Sequence, residues 1–270
     1  MSAIPHGNYS YKIRSTETDF QDKIHFQTLY SMLQEAAGEN AVDYGWGAET
    51  MDRMNLCWVL VRMSVRMNTL PAWKDKIHIE TWSRGAEKIY VSRDFIIRDD
   101  ARNELGQASS IWIVLDKSTH KPVRPNVLLD IALTKSDETS VFSFISPKIN
   151  PVHTCDYMTE HLHESCLLKY ADFSDIDRNG HVNNSKYIAW CIDAYYKHFS
   201  KKQKEKPPAI SGMDINYISE LHFSDRINFF LTNNGMNQNQ IDGFVAKTGK
   251  IAFSALLFIE TEKKGDMNLS

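Results

Sequence analysis

Three polar residues suited to acyl-group hydrolysis lie close together in the segment DIDRNGHVNN: Asp177, Asn179 and His181. Hydrolysis needs a carboxylate or an imidazole that accepts a proton from water, and a donor that stabilises the negative charge developing on the carbonyl oxygen. The side-chain amide of Asn179 is such a donor. An apolar helical pattern follows, and the N–H groups at a helix N-terminus would add to the stabilisation. The segment therefore indicates a candidate reaction centre at the start of a helix.

A second carboxylate, Glu220, follows in the segment DINYISELHF, where side chains alternate as in a strand. This alternation places Tyr217 and Leu221 on one face and Glu220 on the other. From the residues alone, an exposed strand carboxylate is the simplest interpretation of Glu220. Cys191 lies on the apolar stripe of the preceding helix, which predicts a core residue rather than a nucleophile.

The elements that would position these residues occur twice along the chain. Apolar residues at helical spacing predict one long helix in each half. They are Leu29, Met32, Leu33, Ala36, Ala37, Ala41 and Tyr44 in the first half, and Tyr187, Trp190, Cys191, Ala194, Tyr195 and Phe199 in the second. Alternating segments predict strands after each helix. One of them is LCWVLVRMSVRMN, in which Cys57, Val59, Val61 and Met63 are expected on one face. Each half thus predicts an α+β unit whose antiparallel sheet wraps around its helix.

The two halves can be aligned with each other. The segment TDFQDKIHF matches SDIDRNGHV with His25 opposite His181, an offset of 156 residues, and WKDKI matches FSDRI with Asp75 opposite Asp225, an offset of 150. Order, spacing and element type agree, which indicates an internal repeat. The proline-containing connection between the halves is the natural linker. We place the domains at residues 1–135 and 159–270, with a linker at 136–158.

The alternative interpretation of the polar cluster is a turn that only caps a helix, because Asp, Asn and Gly favour turns and Asn favours N-caps. Taken singly, Asp175 and Asn184 fit this structural interpretation better. At the offset of 156, the residues opposite the cluster in the first half are Gln21, Lys23 and His25. A turn with only a capping role has little reason to gather an acid, an amide and an imidazole in one copy alone.

Composition excludes several other classes of protein. The 270 residues are 42% hydrophobic and 24% charged with a net charge of −3, which is typical of a globular protein and disfavours nucleic-acid binding. No apolar run predicts a membrane span, and the N-terminus lacks the apolar region of a secretion signal. The four cysteines have no metal-site spacing, which suits reduced thiols in the cytoplasm. His161 and His163 lack a partner set for a metal, so neither a metal site nor a cofactor is predicted.

The chain resembles the acyl-acyl carrier protein (acyl-ACP) thioesterases of bacteria and plants, which consist of two fused hot-dog domains. The resemblance includes LQEAAGENA, TLPAWKDKIHIETW, SRDFIIRD, SSIWIVLDKSTHKPVR, DIDRNGHVNNSKYIAW and INYISELHFSDRI. It implies a hydrolase of fatty acid biosynthesis in which Asp177, Asn179 and His181 match the active-site element. Glu220 matches the acid that activates water. The next position, often cysteine in plant members, is Leu221 here, which excludes a cysteine nucleophile at that place.

The mechanism that follows has Glu220 deprotonate water with help from His181, while Asp177 holds His181 or Asn179 in place. Asn179 and N-terminal helix amides would stabilise the oxyanion. An alternative is an acyl-coenzyme A thioesterase of the hot-dog superfamily in which Asp177 is the base or nucleophile. A third possibility, a catalytically silent acyl-binding module, is disfavoured by the intact residue set.

The resemblance also implies an acyl-chain pocket in the N-terminal domain and a carrier protein as partner. Candidate pocket residues are Met32, Trp46, Met51, Met54 and Trp58, although a core position is the better interpretation of any one of them taken singly. The partner would be acyl carrier protein with a 4'-phosphopantetheine-linked acyl chain, and an acidic carrier favours a basic docking surface. The run KHFSKKQKEK offers Lys197, Lys201 and Lys202 for that surface. Acyl length and the formation of a homodimer are left open by the sequence.

Overall fold

The computed structural model describes residues 6–125, 146–202, 208–235 and 237–260, without the side chains of residues 201 and 202. The helices are α1 (Phe26–Asp43), α2 (Ala48–Arg53), α3 (Cys155–Glu160) and α4 (Asn184–Lys202). Short 3-10 turns cover Ser15–Glu17, Leu162–Glu164 and Phe173–Asp175. Within the described ranges, no helix combines the length and apolarity needed to cross a bilayer. Residues 136–145 of the predicted linker lie outside the described residues.

The strands form an antiparallel sheet that runs through both halves of the chain. They are β1 (Gly7–Lys12), β2 (Leu56–Met67), β3 (Lys76–Glu87), β4 (Tyr90–Asp99), β5 (Glu104–Asp116), β6 (Pro122–Val123), β7 (Leu167–Tyr170), β8 (Ile210–Tyr217), β9 (Arg226–Gly235), β10 (Gln238–Val245) and β11 (Ile251–Ile259). The order is β1-β3-β4-β5-β2-β8-β11-β10-β9-β7, and β6 pairs with β5. From one edge of the sheet inward the order is β1-β3-β4-β5-β2, and from the other edge inward it is β7-β9-β10-β11-β8. Both halves therefore connect their five main strands in the same way. This symmetry agrees with the predicted repeat and with the predicted α+β class.

The long helices form where the apolar spacing predicts them. Helix α1 ends near Gly45, whose φ of +80° is the left-handed conformation that commonly terminates a helix. Helix α4 turns Tyr187, Trp190, Cys191 and Ala194 into the interior, where each is buried. Both helices contribute to one apolar core that extends across the two halves.

Strand β2 departs from the predicted alternation at a β-bulge. The pairing with β5 omits Val61, and an inserted residue reverses the facing of the side chains that follow it. Leu60 and Met63 are therefore both buried, whereas Cys57 and Val59 are half-buried. The prediction that Cys57 and Val59 share the core face of Met63 is wrong.

The halves join where β2 pairs with β8, from Arg62 opposite Asn216 to Arg66 opposite Gly212. Arg66 donates two hydrogen bonds, of 2.7 and 2.9 Å, to the buried carboxylate of Asp214. Such a bidentate pair fixes geometry as well as charge. The hydroxyl of Tyr30 on α1 donates to the carbonyl oxygen of Met213 on β8 at 2.7 Å. These contacts hold β8 against the first half of the chain.

Candidate active site

The turn ahead of α4 is organised by the carboxylate of Asp177. Its Oδ1 accepts hydrogen bonds from the backbone N–H groups of Asn179 at 2.7 Å and His181 at 3.4 Å. The backbone N–H of Asp177 donates to the carbonyl oxygen of His181 at 2.8 Å, which closes the turn. Gly180 has a φ of +81°, a conformation that favours glycine. The turn therefore presents the side chains of Asn179 and His181 from a fixed backbone.

Asn183 caps helix α4, because its Oδ1 accepts from the backbone N–H of Ser185 at 2.9 Å. The backbone N–H groups of residues 179–183, 185 and 186 all donate to acceptors within the protein. Asn184, the first residue of the helix, is not among these residues, and the expectation that amides of the first helical turn stabilise an oxyanion stays a prediction. The exposed side-chain amide of Asn179 has no hydrogen-bond partner among the described residues and is available as a donor.

Glu220 faces His181 across a loop rather than along a strand. Strand β8 ends at Tyr217, three residues before Glu220, so the predicted continuation of the strand through Glu220 is wrong. The loop brings Glu220 Oε2 to 3.3 Å from His181 Nε2, with the two side chains 46% and 31% exposed. The pair is thus close enough to share a proton and open enough to admit water.

The neighbours of Glu220 have separate roles. Leu221 is buried, and its carbonyl oxygen accepts from the backbone N–H of Val182 at 2.8 Å, which ties the loop to the turn. The ring of His222 stands perpendicular to that of His181, with their centroids 4.9 Å apart. The pair of His181 and Glu220 therefore lies in a group that contains a second imidazole.

A cavity of about 270 Å³ opens beside this site and extends into the first half of the chain. Arg178 and Asn179 form part of its wall at the end near the turn. Most of the remaining wall is apolar and aromatic; it includes Ala37, Ala41, Trp46, Met51, Leu56, Trp58, Val91 and Trp112. A largely apolar cavity whose wall includes the amide of Asn179, on the turn that also carries His181, suits a ligand with a long apolar part and a polar end.

Charged groups at the cavity wall are held by defined partners. Asp52 on α2 binds Lys117 Nζ at 2.5 Å and Arg178 Nη2 at 3.1 Å. The hydrogen bond from Lys117, together with the charges of both cations, lowers the pKa of the Asp52 carboxyl. Deeper in the wall, Arg93 is buried and donates to Asn40 Oδ1 at 2.6 Å. Burial lowers the pKa of Arg93 to about 10, so it remains protonated at neutral pH.

Two family profiles match this chain. The description "Acyl-ACP thioesterase N-terminal domain" covers residues 7–132, and "Acyl-ACP thioesterase C-terminal domain" covers residues 156–255. The chain belongs to the acyl-ACP thioesterase family. The family predicted from the sequence motifs is thereby confirmed.

Known relatives of this acyl-ACP thioesterase family member include plant proteins. An oleoyl-acyl carrier protein thioesterase of Coriandrum sativum is 28% identical over 209 residues, which are 73% of this chain and 57% of the relative. A palmitoyl-acyl carrier protein thioesterase of Gossypium hirsutum is 30% identical over 194 residues, 68% of this chain and 46% of the relative. The chain spans about half the length of these curated relatives. Both relatives are described as chloroplastic, and the cytoplasmic location of this chain stays a prediction.

Solved structures show the same fold. An acyl-ACP thioesterase of Bacteroides thetaiotaomicron superposes with a TM-score of 0.79 at 23% identity, over 94% of this chain and 98% of that one. A 12:0-ACP thioesterase of Umbellularia californica superposes with a TM-score of 0.76 at 19% identity, over 96% and 98% of the two chains. The predicted fold of two fused hot-dog domains is confirmed, whereas the predicted domain boundaries stay predictions.

The residues predicted for the acyl pocket of this acyl-ACP thioesterase family member fall into two groups. Trp46, Met51 and Trp58 lie in the cavity wall. Met32 is instead buried in the main core, and it borders a different surface depression near β1. Met54 follows the end of α2 and is 39% exposed. Three of the five predicted residues thus lie in the cavity wall, and the pocket role of all five stays a prediction.

The cysteines of this family member are free thiols. Cys191 is buried on α4, and burial raises its thiol pKa well above the usual range. Cys57 borders the cavity, and its pKa is likewise raised by burial. A raised pKa leaves the unreactive thiol form predominant at neutral pH. The prediction that Cys191 is a core residue is confirmed by its burial.

The predicted docking residues lie at the end of α4. Lys197 is exposed on the helix surface. Lys201 and Lys202 fall in the last turn of α4, but their side chains lie outside the described residues. The structure thus places Lys197 at the protein surface.

The first half of the chain contains a turn with the same backbone. Asp19 Oδ1 accepts from the backbone N–H groups of Gln21 at 2.8 Å and Lys23 at 3.1 Å, and the N–H of Asp19 donates to the carbonyl oxygen of Lys23 at 2.8 Å. These hydrogen bonds match those of Asp177, which sets the structural offset at 158 residues between Asp19 and Asp177. The predicted offset of 156 is wrong by two positions.

The second predicted offset agrees with the structure. Asp75 Oδ2 accepts from the backbone N–H of Ala72 at 2.7 Å, as Asp225 Oδ2 does from that of His222 at 2.8 Å. This register of 150 residues places Leu70 opposite Glu220. The carboxylate facing the turn is therefore present in the second half and replaced by an apolar side chain in the first.

Proposed function

We propose that this chain hydrolyses fatty acyl thioesters of acyl carrier protein, releasing a free fatty acid and the holo carrier protein. The observation that carries the proposal is the contact of 3.3 Å between His181 and Glu220, beside Asn179 at the end of an apolar cavity. Family membership supports the same reaction class.

In the proposed reaction, Glu220 accepts a proton from a water molecule whose oxygen attacks the thioester carbonyl carbon. The side-chain amide of Asn179 donates a hydrogen bond to the carbonyl oxygen as it becomes negative. The tetrahedral intermediate then collapses, the carbon–sulfur bond breaks, and the thiolate takes up the proton held by Glu220 and His181. Asp177 acts through the backbone by holding the turn that carries Asn179 and His181.

The apolar cavity is proposed to hold the acyl chain. Trp46, Met51 and Trp58 provide side chains against which methylene groups can be buried. Each buried methylene contributes about 0.8 kcal/mol, so affinity is expected to rise with chain length until the cavity is filled. The phosphopantetheine arm and its carrier protein would then lie outside the cavity. We place the carrier near the surface of α4 that includes Lys197, because a basic surface attracts an acidic partner.

Hydrolysis of a panel of acyl-ACP thioesters, followed by release of the free thiol, tests the proposal. The wild-type protein should release fatty acid, and Glu220→Ala should lower kcat by about 10²- to 10⁴-fold because it removes the general base. Glu160→Ala, which changes an exposed glutamate on α3, is the matched control and should retain wild-type kcat.

Three outcomes would count against parts of this proposal. Near-normal turnover by Glu220→Ala would remove Glu220 from its role as the base. Equal kcat/KM for matched acyl-coenzyme A and acyl-ACP substrates would contradict a docking surface for the carrier. Tight binding of substrate by the wild-type protein without any product release would favour an acyl-binding module.

A further inference from the structure

His181, Glu220 and His222 offer three potential metal ligands at one place. One ligand atom from each residue lies within 4.8 Å of the others, and within the described ranges of the chain no second group of this kind is found. His181 and Glu220 are already in contact at 3.3 Å. The proposed hydrolysis uses these two residues and gives His222 no task, so the second imidazole needs a separate explanation.

The spacing fits a zinc ion after a small adjustment. Zinc binds imidazole nitrogen and carboxylate oxygen at about 2.0–2.2 Å in tetrahedral sites, which places neighbouring ligand atoms about 3.4 Å apart. The distance of 3.3 Å between His181 and Glu220 already matches that value. The third ligand atom must approach more closely than the present limit of 4.8 Å. The side chains of Glu220 and His222 are 46% and 60% exposed, so both can rotate without disturbing the core.

A carboxylate lies near the ring of His222. Asp225 Oδ2 lies 3.9 Å from His222 Nδ1 and accepts the backbone N–H of His222 at 2.8 Å. Imidazoles that bind zinc commonly direct their second nitrogen toward a carboxylate, which orients the ring and increases its basicity. In the first half of the chain, the position of His222 is occupied by Ala72. The three-ligand group is therefore specific to the half that carries the proposed reaction centre.

We propose that His181, Glu220 and His222 bind Zn²⁺, and that the bound ion blocks hydrolysis. The ion would occupy the imidazole lone pair of His181 and the carboxylate of Glu220, the two groups that otherwise handle the proton of the attacking water. Removal of the ion would return both groups to the reaction. The binding step stands on geometry alone, whereas the inhibitory consequence rests on the proposed function.

Titration of the full chain with ZnCl₂, in competition with a chromophoric zinc indicator, tests the binding step. His222→Ala and Glu220→Gln should each weaken zinc binding by at least about tenfold. Removing a residue that only hydrogen-bonds a metal ligand already weakens binding by about 10- to 100-fold, and removing a ligand should cost no less. His163→Ala is the matched control: its side chain is 76% exposed next to Glu164, and it should leave the affinity unchanged. Unchanged affinity in both His222→Ala and Glu220→Gln would overturn the proposal.

Turnover of an acyl-ACP substrate tests the consequence. Zinc should slow the wild-type protein, a chelator should restore its rate, and His222→Ala should keep its own zinc-free rate when zinc is added. Equal inhibition of His222→Ala and wild type would place the inhibitory ion elsewhere and overturn the proposal. Failure of the wild-type protein to hydrolyse any substrate would contradict the proposed function, while the zinc titration would still decide the binding site.

Discussion

The turns that precede α1 and α4 share one backbone conformation and carry different side chains. In each turn an aspartate side chain, Asp19 or Asp177, accepts hydrogen bonds from the N–H groups two and four residues later. The aspartate N–H in turn donates to the carbonyl oxygen four residues later, at 2.8 Å in both halves. In the first half, Leu70 stands where the second half has Glu220, so no acid faces that turn. The carboxylate of Asp19 therefore serves only to accept the backbone hydrogen bonds of the turn.

The side chains that differ between the halves include those to which we assign the proposed proton transfer. Lys23 occupies the position of His181, and its Nζ donates to the carbonyl oxygen of Leu70 at 3.3 Å. Leu70 itself stands where the second half has Glu220. The comparison separates a scaffold, supplied by aspartate in both turns, from the imidazole and carboxylate that occur in one. It favours Asp177 as a positioning residue over Asp177 as base or nucleophile.

The largest expected effect comes from replacing His181, in the turn before α4, with lysine, the residue found at the equivalent position 23 in the turn before α1. His181→Lys removes the imidazole but keeps a side chain that this backbone accepts in the other half. We expect kcat to fall by about 10²- to 10⁴-fold, because proton transfer through the imidazole is lost. Steady-state hydrolysis of an acyl-ACP substrate measures the change.

The reciprocal change, Lys23→His, is the matched control. It places an imidazole in a turn that faces Leu70, where no carboxylate is present, so kcat should stay at the wild-type value. Comparable losses in both variants would show that the halves do not divide scaffold and chemistry as inferred. Thermal unfolding of both variants distinguishes loss of chemistry from loss of fold.

An intermediate effect is expected from Asn179→Gln, which installs the first-half residue Gln21 at the proposed oxyanion donor. The longer side chain keeps an amide but moves it by one methylene, and loss of one such donor costs about 10²- to 10³-fold in kcat. KM should change much less, because the ground-state thioester does not depend on this donor. Gln21→Asn is the control, and a similar fall in its kcat would contradict the assignment.

The smallest effect is expected from Asp177→Asn. The carboxamide oxygen of asparagine can still accept the backbone N–H groups of Asn179 and His181, so the turn should persist. If Asp177 only positions the turn, kcat should stay within about tenfold of wild type, whereas loss of a general base costs about 10²- to 10⁴-fold. A loss in the larger range would revive the mechanism in which Asp177 is the base.

The sequence predicts the elements better than it predicts their register, and the roles of the site residues stay predictions. Helical periodicity locates α1 and α4 because their apolar stripes lie against one shared core. Asn179, His181 and Glu220 are recognisable because their types suit one reaction and their motifs occur in a known family. The contact between His181 and Glu220 is not readable from the sequence, since it depends on a loop that begins where β8 ends at Tyr217.

The error of two positions in the aligned turns has a physical origin. The alignment paired His25 with His181 and Asp19 with Asp175 because these residues are identical. In the structure, His25 is instead the N-cap position of α1 and corresponds to Asn183 of α4. Short polar turns are defined by which backbone amides a carboxylate accepts, and residue identity alone does not reveal this. The bulge at Val61 is not predictable from the sequence for a similar reason, because a single unpaired residue does not change the composition of the strand.

The continuous pairing of β2 with β8 has a consequence for how the two halves diverged. In an assembly of two identical polypeptides, symmetry repeats every substitution in both copies. Here the equivalent positions belong to a single chain, so leucine at position 70 and glutamate at position 220 can coexist. Covalent joining thus permits the proposed division of labour, in which residues of the first half form most of the cavity wall and the second half carries the proposed reactive groups. Each polypeptide should accordingly process a single acyl chain at a time.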